Sequence, residues 1–169
     1  MANDAPATLT VTSTTFAEGQ TIPQSALFGG FGVGGHNKSP HIAWSGEPAG
    51  TKSFAIVLHD PDAPTGTGFF HWVLFNIPAS VHELAEDAGH ESNANLPPGA
   101  VQSHTDFGSR NYGGPAPPPG HGPHRYEFHV YALDVPAVPG DANTTAALLR
   151  FMMIGHVLAQ GKLTGIYER

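Results

Sequence analysis

Residues 114–126 read Gly-Pro-Ala-Pro-Pro-Pro-Gly-His-Gly-Pro-His-Arg-Tyr, and this run limits the fold more tightly than any other stretch of the chain. Proline fixes φ and gives up its N–H donor, so the run cannot pair as a central strand. Gly120 and Gly122 close it as a sharp turn, and it leads at once into the alternating apolar segment 127–133. A preset loop therefore delivers His124 to the edge of a strand. The natural counterpart lies upstream in His59-Asp60-Pro61-Asp62-Ala63-Pro64, where the apolar run 54–58 ends in two carboxylates and two prolines. Between the two stands Phe69-Phe70-His71-Trp72-Val73-Leu74-Phe75-Asn76, a β-type run with a histidine at its mouth.

With 169 residues the chain is long enough for one domain with a single core, read here as 1–169 with a frayed tail at 1–8. Sixteen prolines, 21 glycines and 12% charged residues leave little room for long helices and predict a loop-rich, mainly β protein. There is no cysteine, which removes disulfides, thiolate metal sites and thiol nucleophiles. A formal charge of −7 has the wrong sign for gripping nucleic acid, so any anion site must be local. The first residues carry neither a basic cluster nor an apolar stretch, and the expectation is a cytoplasmic protein without stable membrane insertion.

Alternation predicts strands at 9–15, 41–44, 53–59, 71–77, 125–133 and 163–167. The continuous apolar run 54–58 is what a strand covered on both faces requires, and it belongs near the middle of a sheet. Segment 125–133 alternates and is expected to be half exposed. Residues 141–160 place Leu148, Phe151, Met152, Gly155, Leu158 and Ala159 at helical spacing. They predict a C-terminal helix capped by Asp141, Asn143 or Thr144 and stopped by Gly161. Residues 80–99 and 101–112 read as surface and loop, the second with at most one short strand. The glycine-rich 29–35 contains a Gly-x-Gly-x-x-Gly spacing, but Ser39-Pro40 follows where a dinucleotide fingerprint needs a helix. A flexible surface loop is the expectation there.

Asp60, Asp62, His71, His124 and Tyr126, with the backbone of 117–122, are a set suited to a small anion. Imidazole N–H groups and a phenol donate to phosphate or carboxylate oxygens, and a buried aspartate orients a histidine. His59 is expected to alternate into the sheet instead. His121-x-x-His124 with Asp60 and Asp62 offers zinc-type ligands, but a two-residue gap inside Gly-Pro is not the helical His-x-x-x-His arrangement, so no metal and no cofactor is assigned. No Gly-x-Ser-x-Gly elbow occurs and no catalytic residue is assigned, so the reading is a binding protein and not an enzyme. Arg110 and Arg125 are expected to pair with Asp106 or Glu127.

Set side by side, Asp60-Pro61-Asp62-Ala63-Pro64, Phe70-His71-Trp72 and Pro117 to Tyr126 resemble the phosphatidylethanolamine-binding protein family. The similarity is to its bacterial, Raf-kinase-inhibitor-like branch, and through 161–169 and 29–35 to actinobacterial members. Ser39-Pro40 and Trp44-Ser45-Gly46 fit the same pattern. The resemblance implies an antiparallel Greek-key fold of two β-sheets with a C-terminal α-helix. It also implies an anion pocket of Asp60, His71, Pro118, His124 and Tyr126, walled by Pro117 and Gly120. Members of the family bind phosphate, acetate or a phosphorylated head group, several inhibit protein kinases or serine proteases, and bacterial relatives suggest a homodimer. Two departures stand out: Ala116 replaces a cysteine common in bacterial relatives, and 35–38 lacks an acidic residue often found before Ser-Pro.

Overall fold

The computed structural model describes residues 5–169; the rest of the predicted frayed tail, residues 1–4, lies outside them. The described residues form nine strands, β1 (Ala7–Thr8), β2 (Thr10–Thr12), β3 (Ile42–Ser45), β4 (Ser53–Asp60), β5 (Phe69–Pro78), β6 (Glu83–Leu84), β7 (Val101–Gln102), β8 (His124–Leu133) and β9 (Val157–Tyr167), with one α-helix, α1 (Ala146–Met152). A six-stranded sheet runs β1-β9-β8-β4-β5-β7, and a three-stranded sheet runs β2-β3-β6. In the large sheet β4, β5 and β7 follow one another, and β8 then returns to lie beside β4, which is the Greek-key order. The returning connection is the glycine- and proline-rich stretch between β7 and β8, which meets β5 only through scattered bonds, from the Ser103, Asp106 and Gly113 N–H groups to the Val73, Phe70 and His71 carbonyls. Pairing is antiparallel except at one edge, where β1 runs parallel to β9. Ala7 and Thr8, expected to fray, are thus tied to Ala159 and Gln160.

The run 54–58 occupies the middle of the large sheet, as its unbroken apolarity requires. Phe54, Ile56 and Leu58 face the small sheet in a core with Trp44, Trp72, Tyr126 and Phe128. Ala55 and Val57 face the other way, with Val73, Phe75, Tyr131 and Leu133 under Leu149 and Met153. This second core corrects the expectation that β8 is half exposed. Tyr131 and Leu133 are covered, and along β8 only Arg125 is fully in solvent.

The predicted helix over 141–160 is also corrected. Helical residues are seven, Ala146 to Met152, and Thr145 caps them by accepting from the Leu148 N–H. Asp141 and Thr144 instead close a preceding turn, with the Asp141 N–H donated to Thr144 Oγ1. Gly155 takes a positive φ of 81° and turns the chain out of the helix. Residues 157–167 then pair with β8 along its whole length, so tertiary pairing overrides the local helical spacing. Gly161 is no helix stop: it lies in β9, where a Cβ would sit 2.2 Å from the Leu9 carbonyl oxygen. Ala146, Leu149 and Met153 face the core, whereas Leu148 and Phe151, expected on the buried face, are exposed.

Candidate functional site

The site forms where β4, β5 and β8 end together and the return connection folds over them. A register shift between β4 and β5 matters most. Leu58 is opposite Trp72 but His59 is opposite Phe70, so His71 is the extra residue of a β-bulge. The bulge turns His71 to the same side as its neighbour Trp72, whereas strict alternation would send one of them to the other face. His71 thereby enters a cavity of about 200 Å³ lined also by Asp60, His124 and Tyr126. Pro117 and Pro118 form one wall, and Ala63, Pro64 and Thr65 from the β4–β5 turn form another. Phe31, Phe69 and Phe107 supply an apolar mouth.

At the floor His71 is buried, and its Nδ1 lies 2.8 Å from Gly113 O and 3.1 Å from Gly114 O. Carbonyls only accept, so Nδ1 carries the proton and Nε2 keeps a lone pair. Burial holds the imidazole pKa down to about 4, against the opposing pull of these carbonyls and of Asp60. Gly114 is held in turn by Asn37, whose Oδ1 accepts its N–H at 2.8 Å. A Cβ on Gly114 would be 2.2 Å from the Ala26 carbonyl oxygen, so the carbonyl reaches His71 because position 114 has no side chain.

Beside it Asp60 and His124, both buried, share a 2.6 Å hydrogen bond from His124 Nδ1 to Asp60 Oδ2. His124 Nε2 meets His121 Nδ1 at 2.6 Å, which extends the chain Asp60–His124–His121 to the protein surface. The Asp62 N–H is donated to Asp60 Oδ1, fixing the carboxylate plane. Asp62 stays outside the cavity. It accepts from the backbone N–H, Nε and Nη2 of Arg125, and this pairing brings its carboxyl down to about 2. The Tyr126 hydroxyl is buried without a hydrogen-bond partner among the described residues. Burial and the neighbouring Asp60 charge push its pKa well up, so it remains a donor.

Six of the seven predicted site residues, Asp60, His71, Pro117, Pro118, His124 and Tyr126, line this one cavity. Gly120 does not. It is exposed in the turn beyond, with a positive φ of 76°, and donates its N–H to Arg169 O. His59 alternates to the opposite face as expected. The arginine pairings differ from expectation: Arg125 binds Asp62, and Arg110 binds Ala142 O and Asn143. Sequence reasoning missed the aromatic mouth and Arg169, which donates to both Pro117 O and Phe31 O and so ties two walls together. Residues 29–35 are no flexible loop either, since Gly35 and Asn37 donate back to Phe28 O and Leu27 O. The motif has no helix after it, and Phe31 at its tip belongs to the cavity mouth.

The match to known proteins follows this geometry. Residues 12–168 match the family model described as phosphatidylethanolamine-binding protein. The chain belongs to the phosphatidylethanolamine-binding protein family. The UPF0098 protein YbcL of Escherichia coli is 46% identical over 158 residues, covering 94% of this chain and 86% of the relative. The crystal structure of E. coli YbcL superposes with a TM-score of 0.93 at 45% identity, covering 96% of this chain and 99% of that one. Carboxypeptidase Y inhibitor, solved in complex with its cognate proteinase, shares the fold with a TM-score of 0.53 at 20% identity, over 96% of this chain and 84% of that one. Among the described residues no helix is long and apolar enough to cross a membrane.

Proposed function

We propose that this family member binds a small, protonated oxyanion, such as hydrogen phosphate, a phosphomonoester head group or a carboxylic acid, in the His71–His124 cavity. The observation that carries the reading is the buried Tyr126 hydroxyl, a donor without a partner among the described residues, facing a cavity whose other polar side chains are His71, His124, Asp60 and Thr65. A buried polar group left unpaired costs about 1–3 kcal/mol, and a ligand oxygen placed against Tyr126 recovers it. His71 offers a lone pair at neutral pH, so it accepts an O–H from a ligand that still carries a proton. Asp60 disfavours a second negative charge in the same space, so each ligand binds best together with a proton, carried on its own oxygen or taken up by His71. No nucleophile or metal is required, and the protein acts by binding.

A second reading, inhibition of a protein kinase or serine protease at the same mouth, is favoured by Phe31. Its side chain stands 71% exposed at the rim, where a docking partner would cover it. Calorimetric titration of phosphate, phosphoethanolamine and acetate into the wild-type protein and His124→Ala tests the primary reading. Saturable binding near pH 6 that weakens at least about tenfold in the variant is expected, because the substitution removes the imidazole that lines the cavity and leaves the buried Asp60 carboxylate without its partner. Equal affinity in both proteins defeats it.

A further inference from the structure

We propose that His59, Glu127 and His129 form a site for one divalent first-row transition ion, zinc being the first candidate, on the sheet face opposite the anion cavity. His59 stands directly across from Glu127 in the β4–β8 pairing, and His129 lies two residues further on the same strand face. One ligand atom from each of the three lies within 4.8 Å of the others. His129 Nε2 is 3.6 Å from Glu127 Oε1, close to the spacing of about 3.4 Å that ligands 2.0–2.2 Å from a tetrahedral ion adopt.

The supporting contacts suit an ion as well. His59 Nε2 lies 3.1 Å from the Thr67 carbonyl oxygen, which places its proton there and leaves the Nδ1 lone pair free. Its ring stacks on Phe70 at 4.4 Å, which fixes its plane. A carbonyl on the far nitrogen is the usual partner of a metal-ligating histidine. Lys162 Nζ holds Glu127 Oε2 at 2.6 Å and leaves Oε1 turned towards His129. Two imidazoles and one carboxylate with an open side match zinc, cobalt or nickel, whereas calcium and magnesium prefer all-oxygen sites. A surface groove that His129 and Lys162 line adjoins the site. Lys162, Arg125 and, over the Phe70 ring, Arg150 are the cations facing the site, and they hold its affinity down. His59 precedes Asp60, and Glu127 follows Tyr126. An ion would therefore brace the two strand ends that carry the anion cavity.

The test is titration of Zn2+ and Co2+ into chelator-treated full-length protein, followed by calorimetry and by the Co2+ absorption spectrum. One equivalent is expected to bind, and Ca2+ is expected not to. His129→Ala and Glu127→Gln are each expected to weaken Zn2+ at least about tenfold, and His36→Ala, in the connection before β3, to leave it unchanged. Lys162→Met is expected to tighten binding by about fivefold or more through relief of charge repulsion. Absence of saturable Zn2+ binding to the wild type overturns the proposal. So does equal affinity in His129→Ala and Glu127→Gln, or a Lys162→Met variant that does not tighten. Should Glu127→Gln not fold by circular dichroism, the imidazole NMR signals of the wild type decide. Zn2+ must perturb those of His59 and His129 first, and prior perturbation of other histidines overturns the assignment.

Discussion

Tyr126 and His71 differ in what they give a ligand, and each difference is measurable. Replacing the buried, unpartnered Tyr126 hydroxyl by hydrogen removes a desolvation cost without breaking a bond in the free protein. Tyr126→Phe is therefore expected to hold or raise thermal stability, by up to about 1 kcal/mol, while phosphate affinity falls about tenfold. A parallel loss of stability and affinity, read by thermal melting and calorimetry, would mean that the hydroxyl is structural. His71 yields a pH signature. In the free protein burial holds its pKa near 4, and a bound anion raises it by favouring the imidazolium. With sulfate, which does not titrate in this range, binding takes up a proton wherever pH lies between the free and bound pKa values. Affinity is expected to rise towards tenfold per pH unit as pH falls through that interval, and to be flat above the bound pKa. A sulfate affinity independent of pH from 7 to 4 would remove His71 from the site.

Among the elements, the central strands were legible because their signal is local: an unbroken apolar run is explained only by cover on both faces, and β4 has it. The cavity was legible in the same way, since prolines and histidines at strand ends name their own positions. What was not legible depends on register and on distant partners. The bulge that aims His71 is a property of two strands together, and Arg169 reaches Pro117 and Phe31 from far along the chain. The helix failed for a related reason. Residues 146–153 show helical spacing on two faces, Ala146-Leu149-Met153 and Leu148-Phe151, and burial by β5 and β8 selects the first. Leu149→Ala is expected to cost about 2–5 kcal/mol and Leu148→Ala, 47% exposed, less than about 1 kcal/mol. Denaturant unfolding of both variants checks it, and equal costs would contradict the packing of α1.

For the molecule as a whole, burying a neutral histidine in the cavity floor links stability to acidity. The folded-state pKa of His71 is lowered to about 4, below the ordinary value of 6.5, so the unfolded chain binds the extra proton first as pH falls. Stability is then fully present above pH 6.5, declines between 6.5 and 4, and levels off below. At pH 5 the His71 share of the loss is about 2 kcal/mol. His129, also lowered to about 4 by burial, adds a loss of the same sign, so the measurement is made with chelator present to keep metal from its ring. The carboxylates act elsewhere: Asp62 is held near 2 by Arg125, and its contribution begins to fail only as pH drops below the ordinary value of 3.8. His71→Asn isolates the histidine, because the asparagine amide N–H reproduces the bond that Nδ1 makes to the Gly113 carbonyl but does not titrate. Its baseline stability is lower for the lost ring volume, while its slope between pH 7 and pH 5 is shallower than the wild-type slope by about 2 kcal/mol over the interval. Urea unfolding of both proteins at pH 7, 6 and 5 measures the two slopes. Parallel slopes would show that His71 is not the buried neutral base on which the cavity chemistry depends.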